Sequence, residues 1–386
     1  MLFFKECKKI FFSLTFLVYL VAVIAIYSTQ FGTELEAPLT EPSITDEYYG
    51  LVKTEDENII MNSAVYALLY DYEMNTYTCY PFGFYKEVKL NQSEMEEMKC
   101  VIGKLTELDN ITIKSTLTYE EFLNCMREAD EILGGGSNYS LNGIENNFAK
   151  IPMTYEEAME EYENIVEGRE LSKSYTRLFC DYVGIILGIM PIFVCAELWQ
   201  ADKKTGVEPL LFSRKIASAK LVGTRYMALL SAMLLPVFIT FIYTIIRVVS
   251  LYGAEKTAFG ESLGLMLLWL VPEIMILISV GTIVAILWSA FGAILIQAIW
   301  WLMNVLVKMQ LSGNITKWDL VVRHNTLAEV ELFYTQWDNF VWNRVFYSVL
   351  SVVLLGIAII LYDNKRKGKL NGKRVLRKNH TSKSKT

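Results

Sequence analysis

Six stretches of the chain are apolar almost without interruption: Ile10–Tyr27, Phe179–Leu198, Met227–Val249, Ser262–Leu287, Phe291–Lys308 and Val345–Tyr362. A helix needs about 20 apolar residues to cross the hydrocarbon core of a bilayer, and each run approaches or exceeds that length. Only Trp288-Ser289-Ala290 divides the fourth run from the fifth. Together these two cover about 47 residues, roughly 70 Å of helix, which is enough for two crossings and too long for one. The pattern predicts an all-α polytopic membrane protein with six transmembrane helices. A cleaved signal peptide is the rival reading of the first run. That run is long for such a segment and no A-x-A site follows it, so an uncleaved span is expected. No internal repeat is visible, so the inverted-repeat build of many secondary transporters is not suggested.

Between the first two runs lie residues 29–176, too long for a loop and without an apolar stretch that could span. Helix-start signals recur there: Ser93-x-x-Glu96, Thr118-x-x-Glu121 and Thr154-x-x-Glu157. In each, a hydroxyl can take a free backbone N–H while the Glu bonds back. The first signal opens a face of Met95, Met98, Val101, Ile102, Leu105 and Leu108; the second opens Phe122, Leu123, Met126 and Leu133, stopped by Gly134-Gly135-Gly136. A mostly helical domain is predicted, with a short β or irregular piece around Tyr77 to Lys89. Its third helix is expected to run on through Arg169 and Tyr175 into the second span.

Charge sorts these segments by side. The net charge of −6 hides about 29 acidic and 10 basic side chains in residues 29–176, near −19, which leaves the remainder near +13. Short basic loops stay in the cytoplasm, so an acidic block between basic flanks places the two on opposite sides of a membrane. The expected arrangement is an N-terminal flank and first span (1–28), an extracellular domain (29–176), a second span (177–198), a basic cytoplasmic loop (199–222), and spans three to five (223–308). An extracellular connection (309–343), a sixth span (344–362) and a basic cytoplasmic tail (363–386) complete it. Lys365, Arg366 and Lys367 in that tail are expected to meet anionic headgroups.

Candidate chemistry is sparse. His324 and His380 have no second ligand near them, so no metal site is expected, and no cysteine lies in a C-x-x-C pair. The three consecutive glycines lack a following Gly-Lys-Ser/Thr, so they read as a helix stop and not a phosphate loop. No nucleotide-binding or nucleic-acid-binding motif is present, and enzymatic activity is not expected. Glu273, after Pro272 in the fourth run, is a carboxyl group where charge is costly, and marks either a pathway or a bond to a neighbouring helix. Asp181 and Arg247 lie close enough to run ends to be interfacial. Trp300 and Trp301 are candidates for contact with a hydrophobic substrate, or for packing.

The basic loop is the most distinctive stretch. It carries Lys203, Lys204, Arg214, Lys215 and Lys220, with Val207, Leu210, Leu211, Ile216, Ala219 and Val222 at uneven apolar spacing. From Pro209 onward the spacing suits an amphipathic helix along the membrane face. Around it stand Glu197, Lys203, Gly206, Glu208, Leu210, Ser213, Arg214, Ile216 and Lys220. Further on come Pro272, Gln297 to Trp301, Val322-Arg323-His324-Asn325, Asn343-Arg344 and Lys365-Arg366-Lys367-Gly368. In this order the residues resemble ABC-2 type ABC transporter permeases, especially the six-span kind of clostridia and bacilli with a large outer domain between the first two spans. Pro209 departs from the small or aliphatic residue usual at that position.

The resemblance implies a permease subunit that pairs with a separate cytoplasmic ABC ATPase, the ATP being held by that partner, and that forms a homo- or heterodimer with a second permease. It implies export of hydrophobic or amphipathic cargo such as a drug, an antimicrobial peptide or a lipid. By family position, Glu197, Glu208, Arg214 and Lys220 would couple to the ATPase, with Leu210 and Leu211 entering a cleft on it. Glu273, Trp300 and Trp301 would be pathway candidates. The competing expectation is a non-transporting membrane sensor or scaffold whose outer domain binds a ligand.

Overall fold

The structure is a computed structural model that describes residues 2–81, 85–107, 112–288, 290–310 and 315–369. Leu108, Ser289, His380 and the tail beyond Lys369 lie outside the described residues. The chain is mostly helical and divides into two compact units: Met1–Leu39, Glu163–Leu302 and Ile315–Thr386 in one, Thr40–Tyr162 and Met303–Asn314 in the other.

The first unit opens with α1 (Leu2–Phe11) and α2 (Leu14–Ile26), the latter continuing through a π turn at Tyr27–Phe31 and a 3-10 turn at Gly32–Leu35. The expected span began at Ile10, but Ile10 belongs to α1. Ser13 breaks the run by capping α2, its hydroxyl accepting the Phe16 N–H at 3.1 Å.

The second unit contains β1 (Leu51–Lys53), α3 (Glu57–Met74), β2 (Tyr77–Cys79), β3 (Lys86–Val88), α4 (Gln92–Leu105), α5 (Tyr119–Ile132), α6 (Leu141–Asn147), β4 (Lys150–Pro152) and most of α7 (Tyr155–Val166). The β piece expected near Tyr77–Lys89 is an antiparallel pair with Tyr77 opposite Val88. A second pair, Leu51 opposite Pro152, had no signal in the sequence. Thr118 and Glu121 form the expected capping box, and Thr154 and Glu157 bond reciprocally. The first start signal is two residues off: Asn91 and Glu94 form the box, the Asn91 side chain accepting the Glu94 N–H and the Glu94 carboxylate the Asn91 N–H, so the helix starts one half-turn earlier. Gly134, Gly135 and Gly136 all have positive φ, so they end α5 as expected. Leu68, Tyr77, Met98, Leu105, Phe122 and Met126 fill the core. Cys79 and Cys125 are buried and Cys100 exposed, all three as free thiols.

Back in the first unit, α7 does not run on into the next helix: Gly168 adopts φ 49 between them. The remaining elements are α8 (Glu170–Leu187), α9 (Pro191–Lys204), α10 (Glu208–Ser213), α11 (Ser218–Tyr252), α12 (Phe259–Leu287), the part of α13 (Ala290–Gln310) up to Leu302, α14 (Val330–Thr335) and α15 (Trp337–Arg366). Among the described residues five stretches are long and apolar enough to cross a membrane: Leu14–Leu35, Glu170–Lys204, Ser218–Tyr252, Phe259–Leu287 and Trp337–Arg366. The fifth run of the sequence gives only a shorter apolar helical stretch, Phe291–Val305. α12 is apolar on nearly every side, and it accordingly packs against α8, α9, α11 and α15 at the centre of this unit.

The second run of the sequence is two helices, not one. Pro191 has no N–H for Leu187, and the chain tightens through Gly188–Met190: Ile189 N bonds Ile186 O (3.2 Å) and Ile192 N bonds Ile189 O (3.4 Å). Besides Leu187 O, Ile185 O and Gly188 O are thereby left without their usual helical partners. Gln297 Nε2 donates to Gly188 O at 2.7 Å and Trp301 Nε1 donates to Ile185 O at 2.8 Å. One turn apart on α13, these two side chains cap the break.

Candidate functional site

The basic loop is built from short pieces. After α9, Gly206 (φ 67) turns the chain into α10. This helix has only six residues, and Arg214 is already extended (φ −70, ψ 144), so the amphipathic helix expected over 207–220 does not form as one element. The end of α15 explains the interruption. Arg366 Nε donates to Phe212 O at 2.9 Å, Nη1 to Ile216 O at 2.5 Å, and Nη2 to Arg214 O. Carbonyls that a continuing helix would turn inward are instead gathered by one guanidinium fork. Lys365 Nζ meets Glu208 Oε1 at 2.7 Å, the Phe212 ring lies 5.8 Å from that of Tyr362, and Ser218 Oγ donates to Asp363 at 2.9 Å. Lys365 and Arg366, expected at lipid headgroups, therefore hold the loop, while Lys367 pairs with Asp363.

Four of the predicted coupling residues come together here. Glu208 is half-buried against Lys365, Leu210 is 64% exposed, Leu211 is half-buried, and the Arg214 side chain is exposed. Val207, one turn before Leu210, is also exposed. Lys220 lies on the first turn of α11, exposed. Glu197 is not in the loop: it sits on α9, where its carboxylate accepts the Thr15 hydroxyl of α2.

Beside the loop is a cluster that sequence reasoning missed. Arg225, at the start of α11, is buried and bonds Asp202 of α9, approaches Glu6 of α1 at 3.3 Å, and stacks 4.8 Å from the Trp199 ring. Lys9 reaches both carboxylates, Glu6 at 3.3 Å and Asp202 at 3.6 Å. Three helices are thus tied at one point. The signal available was a charge at the edge of each apolar run, and that signal is shared by ordinary interfacial residues.

The pathway candidates lie deeper among the helices. Glu273 is fully buried on α12, and neither carboxyl oxygen has a hydrogen-bond partner among the described residues. Arg344 of α15 comes to 3.9 Å from it but bonds backbone carbonyls instead, Nη1 to Trp269 O (3.0 Å) and Nη2 to Asp319 O (3.3 Å) and Leu320 O (3.2 Å), its Nε having no partner among the described residues. Trp301 and Glu273 converge on Gly188, where an added Cβ would lie 2.7 Å from Trp301 Cδ1 and 3.2 Å from Glu273 Oε1. Trp300 packs 6.3 Å from the Tyr347 ring.

Asp181, read as interfacial, is fully buried within the protein, accepting Arg323 Nε at 2.6 Å and the His324 N–H at 3.1 Å from the connection before α14. Its partners are more than a hundred residues away, which is why the position looked peripheral. Arg247 is half-buried and donates to Leu35 O at 2.8 Å. His324 lies in the connection before α14, where burial, reinforced by the positive charge of Arg177, pushes its pKa down to about 4. Among the described residues no group of three or more His, Cys, Asp or Glu could hold a metal ion. Comparison with protein-family models, with curated proteins and with solved structures finds no match to this chain.

Proposed function

We propose that this chain is the permease subunit of an ABC-2 type ABC transporter, exporting hydrophobic or amphipathic cargo with energy from a separate ATPase. Six helices cross the cell membrane in this reading, residues 29–176 lie outside, and both termini and the 199–222 loop are cytoplasmic. A second permease, identical or related, completes the pathway. The observation that carries the reading is α10: a short helix with exposed Val207 and Leu210, bound through Arg366 and Lys365 to the end of a membrane-length helix. Such a lever can receive a push from a soluble partner. The ordered likeness of the loop and downstream residues to the family, and the division of charge along the chain, support it further.

Mechanistically, ATP-driven closure of the partner would press on α10. The displacement would pass directly to α9 and α11, which flank the loop, and to α15 through the Arg366 fork. The break at Gly188–Met190 lies on the first of these routes, and it is the place where a helix can bend with little further loss of regular hydrogen bonds, since Gln297 and Trp301 already hold two of the freed carbonyls. A sensor or scaffold draws support from the separate core of the acidic unit, and predicts that no ATPase associates with the loop. Labelling of single cysteines tests the arrangement. Ser93→Cys should react in intact cells and Lys215→Cys only after permeabilisation; reaction of the latter in intact cells would contradict it. Both positions are exposed.

A further inference from the structure

A buried carboxyl group normally takes a guanidinium in a paired hydrogen bond near 2.8 Å. Glu273 has an arginine beside it and no such bond. Its nearest guanidinium nitrogen is 3.9 Å away, and that guanidinium holds three backbone carbonyls, one on α12 and two in the connection before α14. Pro272 helps set this up: it cannot donate to Leu268 O, which loosens the turn, and Arg344 takes the next carbonyl, Trp269 O. On the opposite side the carboxyl group lies against the glycines of α8. An added Cβ at Gly184 would be 3.5 Å from Glu273 Oε2 and at Gly188 3.2 Å from Oε1. Neither oxygen has a hydrogen-bond partner among the described residues.

The surrounding ionisable groups leave little room for another ligand. Asp181 on α8 holds Arg323 through Oδ1, while its Oδ2 has no hydrogen-bond partner among the described residues, and Cys180 on α8 and Tyr347 on α15 are the other groups within electrostatic reach. Two further packed helices place theirs beyond Glu273 along α12: Tyr226 donates to Met275 O at 3.1 Å, and the Cys195 thiol to Ile278 O at 3.8 Å. Asp319 contributes its carbonyl to Arg344 from the connection. A metal cation at Glu273 would face a guanidinium across 3.9 Å, and among the described residues no group of three or more His, Cys, Asp or Glu is placed to hold one. A proton meets no such objection, because it neutralises the carboxyl group and adds no charge to be paired.

We propose that Glu273 is a proton-binding site, and that loss of its proton moves Arg344 from the carbonyls of Trp269, Asp319 and Leu320 onto the carboxylate. With the proton on, Glu273 is a neutral acid and Arg344 clamps the connection to α12, which is the arrangement described here. With the proton off, the carboxylate attracts the guanidinium across the remaining gap, and the 319–320 segment loses the Arg344 hold while Asn343 keeps Asp319 O (2.9 Å) and Tyr347 keeps Trp318 O (2.8 Å). The step is a simple proton release with no redox change, and it does not depend on the transporter reading.

The test uses the purified full chain in lipid nanodiscs. Hydrogen exchange of the Asp319–Val322 amides, corrected for the intrinsic pH dependence, is compared between wild type and Glu273→Gln as pH is raised. The wild type should lose protection several-fold, while the Gln variant, which cannot ionise, keeps its low-pH protection throughout. In parallel, the infrared carbonyl stretch of a protonated carboxyl group should be present in the wild type, fade over the same pH range, and be reduced in the variant. Equal pH responses in the two proteins would overturn the proposal. If the Gln variant fails to fold, the wild type decides alone: band and protection must change together, and a wild type in which they do not contradicts the assignment.

Discussion

Replacing Arg366 by Ala should free the loop without unfolding the helices. The guanidinium makes three hydrogen bonds to carbonyls of Phe212, Arg214 and Ile216. A hydrogen bond to a charged group contributes about 1.5–3 kcal/mol net, and less where water competes. For one half-exposed guanidinium sharing three acceptors, about 3 kcal/mol in total is reasonable, which is on the order of a 100-fold increase in opening. Lys365→Ala removes only a partly exposed ion pair with Glu208, worth roughly 0–1 kcal/mol. Arg366→Lys keeps the charge but cannot place three donors in a fork, so it should recover only a minor part. Hydrogen exchange of the Leu211–Ala217 amides reads the effect, with α12 amides as the internal reference. If Arg366→Ala leaves that exchange unchanged, or if Lys365→Ala matches it, the clamp is not what holds α10.

Arg225→Met should destabilise the chain by up to about 3 kcal/mol, since it leaves Lys9 alone to offset both Asp202 and Glu6; the melting temperature measured in micelles should fall well below that of Lys215→Met. Gly188→Ala should cost about 1–3 kcal/mol, because its Cβ would sit 2.7 Å from Trp301 and 2.8 Å from Val321. Gly223→Ala, with nothing within 4 Å, should be neutral or stabilise by up to about 1 kcal/mol as a helix-interior replacement, and thermal unfolding of the pair checks both signs. His324 has a folded pKa near 4 against an ordinary 6.5, so the unfolded chain binds the extra proton first. Its contribution is intact above about 6.5 and is lost as pH falls towards 4. His324→Gln should flatten the stability–pH curve in that window and nowhere else.

What the sequence made legible was whatever is local. Apolar runs located the long helices because length and composition alone decide bilayer crossing. Thr118 and Thr154 marked helix starts because a cap needs only residues three apart, and the same rule erred at Ser93 because Asn91 satisfied it as well. The break at Gly188–Met190 left a faint trace, Pro191 inside an apolar run. The capping of its carbonyls by Gln297 and Trp301, about 110 residues away, left none. The partners of Arg366 and Asp181 were likewise hidden from a reading by sequence neighbours, lying some 150 and 142 residues away in the chain. Coupling residues chosen by resemblance fared unevenly: Glu208, Leu210, Leu211 and Arg214 gather on α10 and its exit, while Glu197 is on α9 with Thr15.

The reading of this chain as a permease subunit rests on α10 being the surface that a separate ATPase engages, and Leu210→Asp tests that surface directly. Leu210 is exposed and packs against nothing in the chain that folding requires, so expression, membrane insertion and the exchange pattern of the long helices should match the wild type. In complex with an ATPase the same residue would be enclosed, and an unpaired buried charge costs several kcal/mol, so affinity measured with the purified ATPase should fall by about 100-fold or more. Arg214→Ala, at the exposed edge, should change it by less than about fivefold. An Asp variant that retains wild-type ATPase affinity and substrate-stimulated hydrolysis would contradict the account.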